Sequence, residues 1–133
     1  MHVAIITGWG STKPRSVNDV SESQSSYQLQ QLALPLKSRE MCESSLEGDR
    51  ELQFFDESMF CAGYDHAPHG ACVGDGGDPL VKKAIRNSQR RWTLIGLTSW
   101  GRGCALSGEL DFFTHVPYFM DWITETMQPQ EEK

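Results

Sequence analysis

The chain has 133 residues, 38% of them hydrophobic and 23% charged, which suits one globular domain with a single apolar core and not a disordered chain. No stretch approaches the roughly 18 consecutive apolar residues of a membrane span, so no membrane segment is expected. A net charge of −6 gives no long-range attraction to nucleic acid or anionic lipid, which carry the same sign, and nucleic-acid binding is not expected.

Val3 to Ile6 is a short, largely β-branched run ending at Gly8-Trp9-Gly10, which reads as a strand entering a turn. Ser11 to Ser26 is polar and reads as loop. From Tyr27 to Leu36, Leu29, Leu32, Leu34 and Leu36 partly alternate with polar neighbours, and Pro35 marks an edge or a strand end. Ser38 to Glu57 is rich in acidic residues and reads as solvated surface with a short helix around Cys42. Met59 to Gly63, Pro79 to Val81 and Trp92 to Trp100 are further strand candidates, and short strands at this spacing predict an all-β barrel. Val116, Phe119, Met120, Ile123 and Met127 recur at helical spacing, with Pro117 suited to a first turn, so one C-terminal helix is expected. Residues 1–127 read as one unit and 128–133 as a polar tail.

Cys42, Cys61, Cys72 and Cys104 are an even set without the close paired spacings of structural zinc sites, so two disulfides and an oxidising, extracellular compartment are expected. The N-terminal MHVAIITGWG has too short an apolar run, and no basic region, for a secretory signal. The expectation is a truncated view of a secreted chain. His66 and His69 beside Asp65 could suggest a metal site, but a surface loop is the plainer reading, and neither metal nor cofactor is expected. Lys82, Lys83, Arg86, Arg90 and Arg91 form a basic patch, read either as a solvated hairpin loop or as a site for sulfated polysaccharide or an acidic partner. Trp9, Trp92, Trp100 and Trp122 read as core or barrel-face residues in preference to stacking platforms.

Four motifs stand in order: GWG at Gly8 to Gly10, MFCAGY at Met59 to Tyr64, CVGDGGDPLV at Cys72 to Val81, and SWGRGCA at Ser99 to Ala105. With FFTHV at Phe112 to Val116 and the helix after it, they resemble the C-terminal half of the trypsin/chymotrypsin family of serine proteases from Gly8 to about Met127. The resemblance implies the second six-stranded antiparallel β-barrel of the family's double-barrel fold plus its C-terminal α-helix. It also implies disulfides Cys42–Cys61 and Cys72–Cys104, each worth roughly 3 kcal/mol. A further family bridge would fall on Ala4 and Lys82, and both partners are absent together.

The family's mechanism needs a serine nucleophile, a histidine base and an orienting aspartate. The family loop GDSGGP here reads GDGGDP, so Gly76 holds the serine's position and no acyl intermediate can form there. The other two groups lie in the family's N-terminal half, which is expected to be missing, and none of His2, His66, His69 and His115 sits in the family's histidine motif. By the same resemblance the backbone amides of Gly74 and Gly76 would form the oxyanion hole. Asp75 would be the activation-pocket aspartate. Asp78 replaces the second glycine of the pair, which puts the loop's shape in question. The specificity pocket would involve Gly70 at its base, where trypsin-like members have aspartate, and Asp111, where many have glycine. Ser99, Trp100 and Gly101 match the strand that pairs with extended peptides.

These readings predict a noncatalytic protease homologue, a pseudoprotease whose remaining role is binding a protein or peptide, with the N-terminal barrel as one such partner. The alternative is a serine endopeptidase active only in a longer form with an intact triad. A third is a half-domain that exposes apolar surface and associates with itself.

Overall fold

The structure is a computed structural model that describes residues 2–10, 15–16, 26–65, 76–101, 103–104 and 109–129. Its main element is a six-stranded antiparallel curled sheet in the order β3 (Gln30–Pro35), β1 (Val3–Gly8), β5 (Pro79–Arg86), β6 (Gln89–Gly101), β8 (Asp111–His115) and β4 (Met59–Ala62). The outer strands meet where Leu36 bridges Ala62. There the Lys37 N–H donates to the Cys61 carbonyl at 3.2 Å and the Gly63 N–H to the Pro35 carbonyl at 3.0 Å. Closing the sheet in this way occupies edge groups that would otherwise recruit another strand. The expected all-β barrel with a C-terminal helix is therefore present. A separate two-stranded pair joins β2 (Arg15–Ser16) to β7 (Gly103–Cys104).

Strand alternation sorts the apolar residues into two clusters. Ala4, Ile6, Leu34, Ala62, Leu80 and Phe113 fill the concave side, with Phe60 and Ile95 packed against them. Cys42, Leu46, Phe55, Cys61, Leu110 and Phe112 form the second cluster, which seats α1 (Arg39–Ser45) against β4 and β8. Ser38 begins α1 by accepting the Met41 N–H at its side chain, and Cys42 ties the helix to β4 through its disulfide with Cys61. Phe112 and Phe113 are adjacent and both fully buried, one per cluster, so β8 buries an aromatic side chain on each face. Burial of this kind contributes about 1.5–3 kcal/mol per large side chain.

Several elements depart from expectation. β5 and β6 run on through the basic segment and remain paired as far as Arg86 opposite Gln89, so Lys82 to Arg91 is a strand ladder and only Asn87 and Ser88 turn. β8 carries no alternation and was expressed in the sequence only through FFTHV. A 3₁₀ turn at Arg50–Phe54 lies within the acidic segment. The C-terminal helix begins as a 3₁₀ turn, Val116–Phe119, with Pro117 in its first positions, and continues as α2 (Met120–Met127). None of the α2 residues is buried, and Tyr118, Met120, Trp122 and Met127 are all exposed. Trp9, Trp92 and Trp122 are likewise exposed, contrary to a core assignment, whereas Trp100 stacks on Phe112 with ring centroids 4.1 Å apart.

Candidate functional site

The end of the GDGGDP loop lies against β6 at Thr98, immediately before the Ser99-Trp100-Gly101 segment. Gly77 adopts φ +82°, the left-handed conformation that glycine enters without steric cost, and its N–H donates to the Thr98 carbonyl at 2.8 Å. Thr98 returns its own N–H to the Asp78 carbonyl at 3.0 Å and its hydroxyl to the same oxygen at 3.3 Å. Three hydrogen bonds thus fix Gly77 and Asp78 to one residue of β6. The left-handed residue of this turn is Gly77 and not Asp78, so aspartate meets no backbone penalty in the second glycine's place.

Gly76 is exposed at the tip of the turn, and a Cβ built there would meet nothing within 4 Å. A serine side chain has room at this position. Among the described residues no neighbour fills the space that a serine side chain would take.

Beyond Leu97 β6 loses β5 as a partner and keeps β8. β5 begins at Pro79, opposite Leu97, so among the described residues no strand flanks Ser99 to Gly101 on that side. On the other side β8 pairs with β6 through a bulge: Thr98 faces Phe113 and Trp100 faces Phe112, leaving Ser99 as the extra residue. The next pair is Gly101 with Asp111, and Asp111 also faces Ala62 of β4. Asp111 is 6% exposed and is the one charged residue in the buried set among the described residues. By strand alternation it shares the concave face with Phe113. An acid in that setting is retained only where it is hydrogen-bonded or paired.

The structure therefore brings together Gly76, Ser99, Trp100, Gly101 and Asp111 on β6, its neighbour β8 and the turn bonded to β6. Gly70, Gly74 and Asp75, the Cys72–Cys104 pairing, and His66 and His69 lie outside the described residues. Asp65 is engaged by Lys37, Nζ to Oδ2 2.9 Å. Cys42–Cys61 is formed, with 5.8 Å between Cα atoms. Sequence reasoning missed Gly96, the residue of β6 that faces Leu80. A Cβ there would stand 2.7 Å from Phe60 Cζ, so only glycine lets the Phe60 ring lie across the strand. A glycine inside an otherwise apolar strand is the signal that could have found it.

The family described as "Trypsin" matches residues 2–123. Clotting factor C of Tachypleus tridentatus is 36% identical over 126 residues, covering 92% of this chain and 12% of that protein. Limulus clotting factor C of Carcinoscorpius rotundicauda is 38% identical over 126 residues, again 92% of this chain and 12% of the relative. The chain spans about an eighth of the length of these relatives.

Proposed function

The chain belongs to the trypsin family of serine proteases, and from that premise we propose that it is a noncatalytic member whose remaining role is to bind an extended peptide or protein segment. The observation that carries this reading is Gly76. It occupies the nucleophile's place in the family loop, and the space a serine would fill is open. Without a hydroxyl no acyl-enzyme can form there, whatever lies beyond this sequence.

The binding half of the machinery has more support. Ser99 to Gly101 run past the end of β5, so their backbone groups on that side are placed to pair with an added strand. Asp111 lies beside Gly101 on the concave face, which suits a ligand side chain of positive charge. The amides of Gly74 and Gly76 would then cradle a peptide carbonyl as a binding feature without chemistry. The exposed apolar residues Tyr118, Met120, Trp122 and Met127 suit a protein partner, the family's first barrel among them. The disulfide supports a secreted location.

Labelling with a serine-directed fluorophosphonate, with trypsin as the positive control, tests the loss of catalysis. No labelling and no cleavage of an arginine-containing peptide, together with measurable binding of that peptide, is the expected result. Stoichiometric labelling or turnover by the purified chain overturns the proposal.

A further inference from the structure

Positive charge is concentrated in the β5–β6 hairpin of an otherwise acidic protein. Five of the 12 Lys and Arg residues lie between Lys82 and Arg91, and residues 79–108 hold those five, Arg102, and no Asp or Glu. That segment carries +6 and the rest of the chain −12, which together give the net −6. Such asymmetry marks a local surface, because screening limits the reach of the distant carboxylates to about 8 Å at physiological salt.

The ladder distributes these charges around a ribbon. Asn87 and Ser88, at φ 49° and 63°, form the two-residue turn whose twist matches antiparallel strands. Residues facing each other across the ladder share a side, so Lys82, Arg86 and Arg91 lie on one face. Lys83 and Arg90 lie on the other beside Ile85, Trp92 and Leu94. Lys82 and Arg86 are four residues apart, a run of about 13 Å.

Among the described residues none of the five pairs with a carboxylate. The two salt bridges among the described residues are Lys37–Asp65 and Arg39–Glu43, both elsewhere. Lys82 Nζ is instead 3.1 Å from His2 Nδ1, Arg91 Nη2 donates to Gln89 Oε1 at 2.9 Å, and Lys83 Nζ lies 5.1 Å from the centroid of the Trp92 ring. These contacts orient the cations without neutralising them.

We propose that the β5–β6 hairpin is a binding site for a linear sulfated polysaccharide. A flexible polyanion can run over the turn and meet cations on both faces of the ribbon, whereas a flat lipid surface meets one face at a time. The Trp92 ring is held under Lys83, which leaves it poorly placed to stack a nucleic-acid base. The Cys42–Cys61 disulfide suits an oxidising, extracellular compartment, where sulfated glycans are a class of polyanion such a patch would meet. Sulfate esters keep their charge at all physiological pH values, and arginine offers them paired donors as it does phosphate.

The test is heparin affinity of the whole chain as a function of salt, for the native protein, the Arg86→Gln/Arg90→Gln variant and an Arg50→Gln control outside the hairpin. Native protein and control should bind heparin with the same salt dependence. The double variant should bind roughly tenfold or more weakly, with a slope of log affinity against log salt shallower by about two, one for each lost cation. Absence of heparin binding by the native chain, an unchanged slope in the double variant, or an equal loss in the control overturns the proposal. So does tighter binding of phosphatidylserine-containing vesicles or of polyglutamate than of heparin, which would assign the hairpin to lipid or to acidic protein.

Discussion

Gly101 and Asp111 lie directly opposite each other where β6 and β8 pair, one residue pair beyond the bulge at Ser99. The pair sets a buried carboxylate next to the unladdered backbone where the proposed peptide would lie. Replacing Asp111 with Asn keeps the shape and removes the charge, so binding of a cationic probe such as p-aminobenzamidine should weaken by roughly tenfold to a hundredfold, as for loss of a charged hydrogen bond. A neutral probe of the same shape should bind the two proteins alike. Fluorescence titration with both probes checks this, and an unchanged cationic affinity would separate Asp111 from the binding site.

Gly96 and Phe60 make a tight demand in the concave core. The Phe60 ring is stacked on Phe113 at 5.5 Å and meets His115 edge-on at 5.6 Å, so it has little freedom to retreat from a new methyl. A Cβ at Gly96 would also stand 3.3 Å from Phe113 Cβ. Gly96→Ala should therefore destabilise the fold by about 1–3 kcal/mol, the ordinary cost of overpacking. Urea unfolding of the two proteins measures it. Adding Phe60→Leu to Gly96→Ala should recover part of the loss if the clash is its cause.

The strands best expressed in the sequence were those whose apolar runs are bounded by glycine or proline. β1 was readable from its β-branched run, Val3 to Ile6, and the glycines after it; the alternation of buried and less buried residues from Val3 to Gly8 shows only in the structure. β5 was readable only to Val81. Beyond it the residues belong to an exposed two-stranded ribbon, where charge is tolerated on both faces and hydrophobic alternation disappears. β8 fails for the opposite reason, since Asp111, Phe112 and Phe113 are all buried and leave no polar phase to count. At the site, Gly76, Asp78 and Asp111 were singled out through the ordered motifs of the family resemblance. That Asp111 faces Gly101 was not legible, because the pairing depends on Ser99 bulging out of register.

The Cys42–Cys61 bridge joins α1 to β4 across 19 residues inside the second cluster. It shortens a loop of the unfolded chain, an effect worth about 3 kcal/mol for loops of this size. The Cys42→Ala/Cys61→Ala variant should lose a comparable amount in chemical denaturation. α1 should exchange its amide hydrogens faster than β1 and β5 do, because its attachment rests on the smaller cluster. Equal protection across all three elements would mean that packing, without the bridge, holds the helix.

Asp56 begins the tight turn into β4, where the Met59 N–H donates to the Asp56 carbonyl at 3.1 Å. Its carboxylate accepts the Ser58 hydroxyl and, at 2.9 Å, the Ser58 N–H. The hydroxyl, then the backbone N–H, and more weakly the charge of Arg39, hold its pKa below the usual aspartate value of 3.8. A lowered folded-state pKa means that the ionised form supports the turn. This support is complete above the unfolded-state value and is lost as pH falls through the folded one. Ser58→Ala removes the largest contribution, so the Asp56 carboxyl should titrate closer to the ordinary value and the turn should loosen at a higher pH. Carboxyl-carbon NMR titration of the two proteins reads this shift. Identical titration curves would show that the hydroxyl does not set the acidity of Asp56.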